Sequence, residues 1–102
     1  MENQRILFLT IKKEFFDQIK SGHKTSEFRA YKKHWINKLM HADGSYKTYD
    51  LVLFQNGYHA NAPRMWVEFL KTKIVRNRTG FSSWEKVFEI ELGKIVRFEN
   101  IQ

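Results

Sequence analysis

The chain contains no cysteine, which excludes disulfide bonds and thiolate metal ligands. Its four histidines lack the H-x-x-x-H spacing of a metal-binding pair, so we expect no metal site. No apolar run reaches membrane-spanning length, and Ile6–Ile11 is too short for the core of a signal peptide. We therefore expect a cytoplasmic protein that binds no membrane and carries no cofactor.

Acidic residues are also scarce. The chain has 11 Asp and Glu residues against 18 Lys and Arg, which gives a formal net charge of +7. On so small a protein this excess should create a positive potential that attracts phosphate groups. The alternative is a basic protein whose lysines are only solvated, because net charge bears on association and not on fold. With 102 residues, 42% of them hydrophobic, we expect one packed domain over residues 1–102 and a monomer.

Apolar periodicity predicts a mainly β fold with some helix, of the α+β class. Six strands are predicted, over residues 6–11, 25–31, 51–55, 65–75, 87–92 and 94–101. The first is apolar on both faces, as for a strand covered on each side. Helices are predicted over 13–20, before Gly22, and within 32–49, before a turn at 43–45. Many short strands, one of them long enough to bend through a bulge, favour a small β-barrel.

The segment from Gly22 to Arg29 carries the most chemistry. It contains part of a phosphate-loop motif, but the full G-x-x-x-x-G-K-[ST] spacing is absent, which excludes nucleoside triphosphate binding of that type. Alternation puts Glu27 and Arg29 on one strand face. Arg29 offers a fork of donors for a phosphate or a base edge, and Lys24 beside that cation is a candidate general base. The alternative is a structural ion-pair set of the same three residues.

Glu68 is the second candidate carboxylate. Alternation places it on the same strand face as Trp66 and Leu70. A carboxylate among apolar neighbours needs a partner, because burying it alone is costly. We expect Lys24 and Arg29 to be that partner, in one cleft that binds a polar base or transfers a proton. A structural salt bridge inside a barrel is the alternative.

Several aromatic residues lie in or beside predicted loops that are rich in Lys, Arg and His. They are Trp35, Tyr46, Tyr49, Tyr58 and Trp84. Bases of RNA stack on such rings while cations follow the phosphates. Most aromatics in a small domain belong to its core, and we assign Phe15 and Phe28 there. Tyr58 and Trp35 are the leading candidates for stacking.

Three segments of the sequence resemble the ASCH family of the PUA-like superfamily. Residues 15–29 (FFDQIKSGHKTSEFR) look like its helix and small-G-x-K-T-x-E-x-R signature, and residues 52–67 (VLFQNGYHANAPRMWV) look like its strand, N-G-Y loop and strand. Residues 89–96 (EIELGKIV) are similar to its closing strand motif. The resemblance implies a small PUA-like β-barrel with a cleft beside the first helix, which binds RNA or a modified nucleoside or nucleotide. The ligand-binding residues expected there are Thr25, Arg29, Trp35, Asn56 and Tyr58.

The resemblance also implies an alternative activity. Some members of the family are amidohydrolases that deacylate acetylated cytidine, and Lys24, Arg29 and Glu68 match their lysine, arginine and glutamate. Glu27 stands where their nucleophilic threonine would be, which argues against the covalent mechanism. We therefore favour a binding module over a hydrolase in which Lys24 is the base and Glu27 or Glu68 positions water. A third hypothesis is metal-assisted RNA cleavage with Glu27 and Glu68 as ligands.

Overall fold

The computed structural model describes residues 3–76 and 86–101. These residues form five strands and two helices. In chain order they are β1 (Ile6–Thr10), α1 (Lys13–Lys20), β2 (Ser26–Ala30), α2 (Lys33–Leu39), β3 (Leu51–Gln55), β4 (Arg64–Arg76) and β5 (Lys86–Glu99). The predicted class, mainly β with helices, is confirmed. No helix in these ranges is both long and apolar enough to cross a membrane.

All five strands belong to one curled sheet in the order β1-β3-β4-β5-β2. β1 is parallel to β3, and the other neighbours are antiparallel. A parallel pair needs a long crossover, and here that crossover contains α1, β2 and α2. β1 and β2 follow each other in the chain, yet they form the two opposite edges of the sheet.

The two edges are linked by a side chain. Arg29 of β2 donates a hydrogen bond from Nη2 to the backbone oxygen of Thr10 at the end of β1, over 3.1 Å. The strip between these edges, formed by Thr10–Lys12 on one side and Glu27–Ala30 on the other, is called the seam below. The curl of the sheet therefore places the beginning of α1 beside β2.

Helix α1 covers the residues that were predicted for it. Phe16 and Ile19 are buried against the sheet, whereas Phe15 remains 37% exposed. The helix ends at Lys20 and is capped by Ser21, and Gly22 follows with a φ of 85°, the left-handed conformation that favours glycine after a helix.

β4 contains the predicted irregularity. Its register with β5 shifts at three places between Trp66 and Lys71, which gives the long strand its bend. The prediction of two strands separated at Gly93 is wrong, since β5 runs without interruption from Lys86 to Glu99. Gly93 lies against this irregular part of β4. A Cβ atom there would come within 2.6 Å of Glu68 Oε1, so the glycine permits a close approach of two strands rather than a turn.

The core lies on one face of the sheet, where both helices pack. Its fully buried members include Leu7, Leu39, Val52, Phe54, Met65, Phe88 and Ile90. The prediction that the first strand is covered on both sides is wrong. Leu7 and Leu9 are buried, but Ile6 and Phe8 are 36% and 40% exposed, because α1 and α2 both contact the inner face.

Candidate functional site

A cavity of about 510 Å³ opens at the seam. Its walls include Thr10, Phe15, Lys24, Glu27, Phe28 and Arg29. The volume lies in the range of small-molecule sites in proteins, which are largely apolar with a few placed polar groups. This cavity, called the seam pocket below, brings together the three charged residues that the sequence singled out around Lys24.

Glu27 is the buried charge of the seam pocket, with 6% of its surface exposed. It is paired in register with Ile90, and Arg29 is paired with Phe88. Because cross-strand partners in an antiparallel pair point to the same face, the charged positions of β2 face the core side of the sheet. Inward-pointing charges on an edge strand also discourage pairing with another chain.

The Glu27 carboxylate is held between two cations. Arg29 donates to Oε2 from Nη2 at 2.6 Å and from Nε at 3.2 Å, and Lys24 Nζ lies 3.5 Å from Oε1. Both oxygens of Glu27 are therefore engaged. The Nη2 group of Arg29 also reaches Thr10, whereas within residues 3–76 and 86–101 its Nη1 group has no acceptor.

Lys24 is fixed at the junction between α1 and β2. Its backbone N–H donates to the Gln18 oxygen at 3.1 Å, so the end of the helix sets the position of the side chain. Its ammonium group lies 5.5 Å from the centre of the Phe15 ring and 5.1 Å from that of Phe28. Such distances are typical of cation–π contacts. Lys24 is therefore an ion-paired cation with two aromatic walls.

The two leading aromatic candidates lie at different depths. Trp35 is half-buried beneath Arg29, whose guanidinium carbon is 4.8 Å from the indole centre, so this ring supports the arginine. Tyr58 is 87% exposed and its hydroxyl is 3.4 Å from Thr10 Oγ1, at the rim of the seam pocket. Tyr58 does not line the pocket itself, but it contacts the wall through Thr10.

Of the predicted ligand-binding residues, only Arg29 lines the seam pocket, and Thr25 and Asn56 lie away from it. Thr25 is exposed, and its backbone oxygen accepts a hydrogen bond from Leu92 N at 3.0 Å. Asn56 donates from Nδ2 to the Ile11 oxygen at 3.1 Å and lines a separate cavity.

Two of the loop tyrosines have structural contacts. Tyr46 accepts a hydrogen bond from Ile74 N at 3.1 Å, and Tyr49 donates to the Lys38 oxygen at 2.7 Å. Burial raises the pKa of the Tyr49 hydroxyl above its ordinary value, and the nearby charge of Arg5 partly opposes this. Trp84 lies outside the described residues.

The predicted meeting of Glu68 with Lys24 and Arg29 is wrong. Glu68 lies between Val67 and Phe69, which face the core, so it is on the outer face of the sheet and is exposed. Its Oε1 accepts a hydrogen bond from Lys94 N at 2.8 Å. Glu27 points to the opposite face, so these two carboxylates cannot share a metal ion. Among the residues described, no group of three His, Cys, Asp or Glu is arranged to hold one.

The apolar walls of the pocket were not predicted from the sequence. Phe15 and Phe28 were assigned to the core, but both line the seam pocket against Lys24. Phe15 precedes the buried Phe16, and a helix turns about 100° per residue, so the two rings face different surroundings. This rotation between consecutive residues could have indicated that Phe15 and Phe16 do not both point into the core.

Comparison with known proteins found no matching family model, no matching curated protein and no matching solved structure. The geometry of the seam pocket therefore carries the functional interpretation.

Proposed function

We propose that this protein is a PUA-like module of the ASCH type that binds a base of RNA or a modified nucleoside in the seam pocket. The observation that supports this most is the composition of the pocket. A fixed cluster of Lys24, Glu27 and Arg29 lies beside the rings of Phe15 and Phe28, in a cavity of about 510 Å³. A planar polar ligand needs both a polar wall that bonds its edge and an aromatic wall that contacts its face.

The polar wall favours a ligand that presents acceptor atoms. Glu27 uses both oxygens to hold the two cations, while Arg29 Nη1 and the remaining N–H groups of Lys24 point to no acceptor within the described chain. Base carbonyls, ring nitrogens and phosphate oxygens are such acceptors. Glu27 is then a positioning residue, because it fixes the direction in which the two donors point.

The apolar wall favours an aromatic ligand. Phe15 and Phe28 flank the pocket, and the exposed ring of Tyr58 lies at its rim. Stacking of a base on an aromatic side chain contributes about 1–3 kcal/mol. A phosphate alone would gain nothing from these rings, so a nucleobase fits the pocket better than an inorganic anion.

The amidohydrolase hypothesis has less support from the pocket. Glu27 occupies the position of the nucleophile and both its oxygens are engaged, while Glu68 lies on the other face of the sheet. The ammonium group of Lys24 is held 3.5 Å from Glu27 Oε1, and Glu27 is itself bound by Arg29. Metal-assisted RNA cleavage also has less support, because Glu27 and Glu68 lie on opposite faces of the sheet and cannot bind one metal ion together.

A charge-removing substitution tests the proposal. Lys24→Met keeps the length and the contacts with Phe15 and Phe28 but removes the ammonium group. A hydrogen bond to a charged group contributes about 1.5–3 kcal/mol, so we expect affinity for the best ligand among cytidine, acetylated cytidine, uridine, adenosine and guanosine to fall roughly 10- to 100-fold. Isothermal titration calorimetry at physiological ionic strength measures the affinity.

Lys71→Met is the matched control. Lys71 is also ion-paired, with Glu91 at 3.8 Å, but it lines neither the seam pocket nor the separate cavity. The control should bind like the wild type. Equal affinities of the Lys24→Met and wild-type proteins, or no binding of any nucleoside or short RNA by the wild type, would contradict the proposal.

A further inference from the structure

A second cavity, of about 380 Å³, lies on the other side of α1. Its floor includes Phe16 and Pro63, and its polar walls include Asn56, His59, Asn61 and Asn100. Asn100 has a φ of 58° and donates from Nδ2 to the Ala62 oxygen at 3.1 Å, which holds the residues after β5 against the loop after β3. The second cavity shares no lining residue with the seam pocket.

The two cavities are immediate neighbours. Lys12 lines the seam pocket and Lys13 lines the second cavity, and consecutive Cα atoms are only about 3.8 Å apart. One helical turn later, Phe15 lines the seam pocket and Phe16 lines the second cavity. Asn56 of the second cavity also hydrogen-bonds the backbone of Ile11 in the seam pocket. The beginning of α1 therefore lies between them and forms part of the wall of each.

The second cavity has the chemistry of a base site. The carboxamides of Asn56, Asn61 and Asn100 each carry donors and an acceptor, so they can pair with the edge of a nucleobase. Pro63 and the exposed ring of His59 supply surfaces on which a base can stack, whereas Phe16 is only 3% exposed. On the wall, Lys12 is exposed and has no ion-pair partner within residues 3–76 and 86–101, whereas Lys13 is paired with Asp17 at 2.7 Å.

We propose that the second cavity holds the nucleotide next to the one in the seam pocket, so that the ligand is single-stranded RNA of two or more nucleotides. The phosphate that joins the two nucleotides crosses the wall at Lys12. This inference rests on the function proposed for the seam pocket, and it favours an RNA chain over a free nucleoside as the ligand.

The test compares one nucleotide with two. ¹⁵N-labelled protein is titrated with CMP, UMP, AMP and GMP and with the corresponding homodinucleotides, and NMR follows the amide signals. We expect the best dinucleotide to bind roughly 5- to 100-fold more tightly than its mononucleotide, the range that one stacked base contributes. It should shift the signals of Asn56, Asn61 and Asn100 in addition to those of the seam.

Two asparagine variants locate the effect. Asn61 is exposed and its side chain has no partner in the described chain, so Asn61→Ala should leave the fold intact, which far-UV circular dichroism checks. The substitution should weaken dinucleotide binding about fivefold, the loss of one neutral hydrogen bond, and leave mononucleotide binding unchanged. Asn37→Ala, on the exposed face of α2 and outside both cavities, should change neither affinity.

The possible failures of the two proposals are distinct. Mononucleotides that bind at the seam, with dinucleotides that bind no more tightly and shift no signal of the second cavity, would overturn this inference and leave the proposed function standing. Absence of binding at the seam by every mononucleotide and dinucleotide would overturn both. Equal effects of Asn61→Ala and Asn37→Ala on dinucleotide affinity would also overturn the inference.

Discussion

Replacing Glu27 by glutamine tests whether the buried carboxylate holds the charge cluster at the seam. Glutamine keeps the size of the side chain and one acceptor oxygen, so the substitution removes mainly the negative charge. The Glu27 side chain is 8% exposed, and those of Lys24 and Arg29 are each 17% exposed. Two poorly solvated cations are then left without a counter-charge in the same cavity.

The expected cost follows from this burial. Removing one partner of a buried ion pair costs about 3–5 kcal/mol. The cations retain some contact with water, and the glutamine oxygen still accepts from Arg29, so we expect the free energy of unfolding to fall by roughly 2–3 kcal/mol. For a domain of this size that corresponds to a decrease in Tm of roughly 10–20 °C.

Urea unfolding followed by far-UV circular dichroism measures this loss. Glu99→Gln is the control, because Glu99 forms an exposed pair with Arg64 at 3.4 Å and should cost less than about 0.5 kcal/mol. Adding Lys24→Met to Glu27→Gln should restore stability, since it removes one of the two uncompensated cations. A loss no larger than that of Glu99→Gln, or no recovery in the double variant, would show that Glu27 does not hold the two cations in place.

Two further predictions concern the elements around the site. The pKa of Tyr49 is raised mainly by burial, so folding favours its neutral form and stability should be complete below pH 10 and decrease as the pH rises through the folded-state pKa. Urea unfolding between pH 9 and 11 should therefore show a steeper decline for the wild type than for Tyr49→Phe, and equal slopes would contradict this. Gly57 has a φ of 103°, so Gly57→Ala should lower the free energy of unfolding by about 1–2 kcal/mol in the same assay, and an unchanged value would show that this backbone conformation is not required.

Local patterns in the sequence predicted several elements closely. α1 and β3 have the bounds that periodicity indicated, because each has a regular apolar pattern that ends at a glycine with positive φ. Gly22 ends the first and Gly57 follows the second. The turn at 43–45 is also present, with Ser45 N and Oγ donating to Asp43 Oδ1. These features depend on neighbouring residues alone.

The features that the sequence did not predict depend on contacts between distant segments. Alternation divides β2 into two faces, but only its register with β5 shows that Glu27 faces inward. Alternation in β4 likewise put Glu68 on one face without showing that this face is the outer one. Two strands were predicted on either side of Gly93, and only its approach to Glu68 across the sheet explains why one strand continues through it. The sequence therefore predicted that Lys24, Glu27 and Arg29 lie together, and it wrongly added Glu68 to them.

Binding of a base in the seam pocket is tested most directly by an NMR titration of labelled protein with the five nucleosides, acetylated cytidine included. Amide shifts and released acetate are followed in one tube. We predict shifts that cluster at Thr10–Lys12 and Lys24–Ala30, on both sides of the seam, with no acetate. Shifts that avoid the seam, or acetate release that disappears in Lys24→Met, would contradict the conclusion that the seam pocket binds a base without cleaving it.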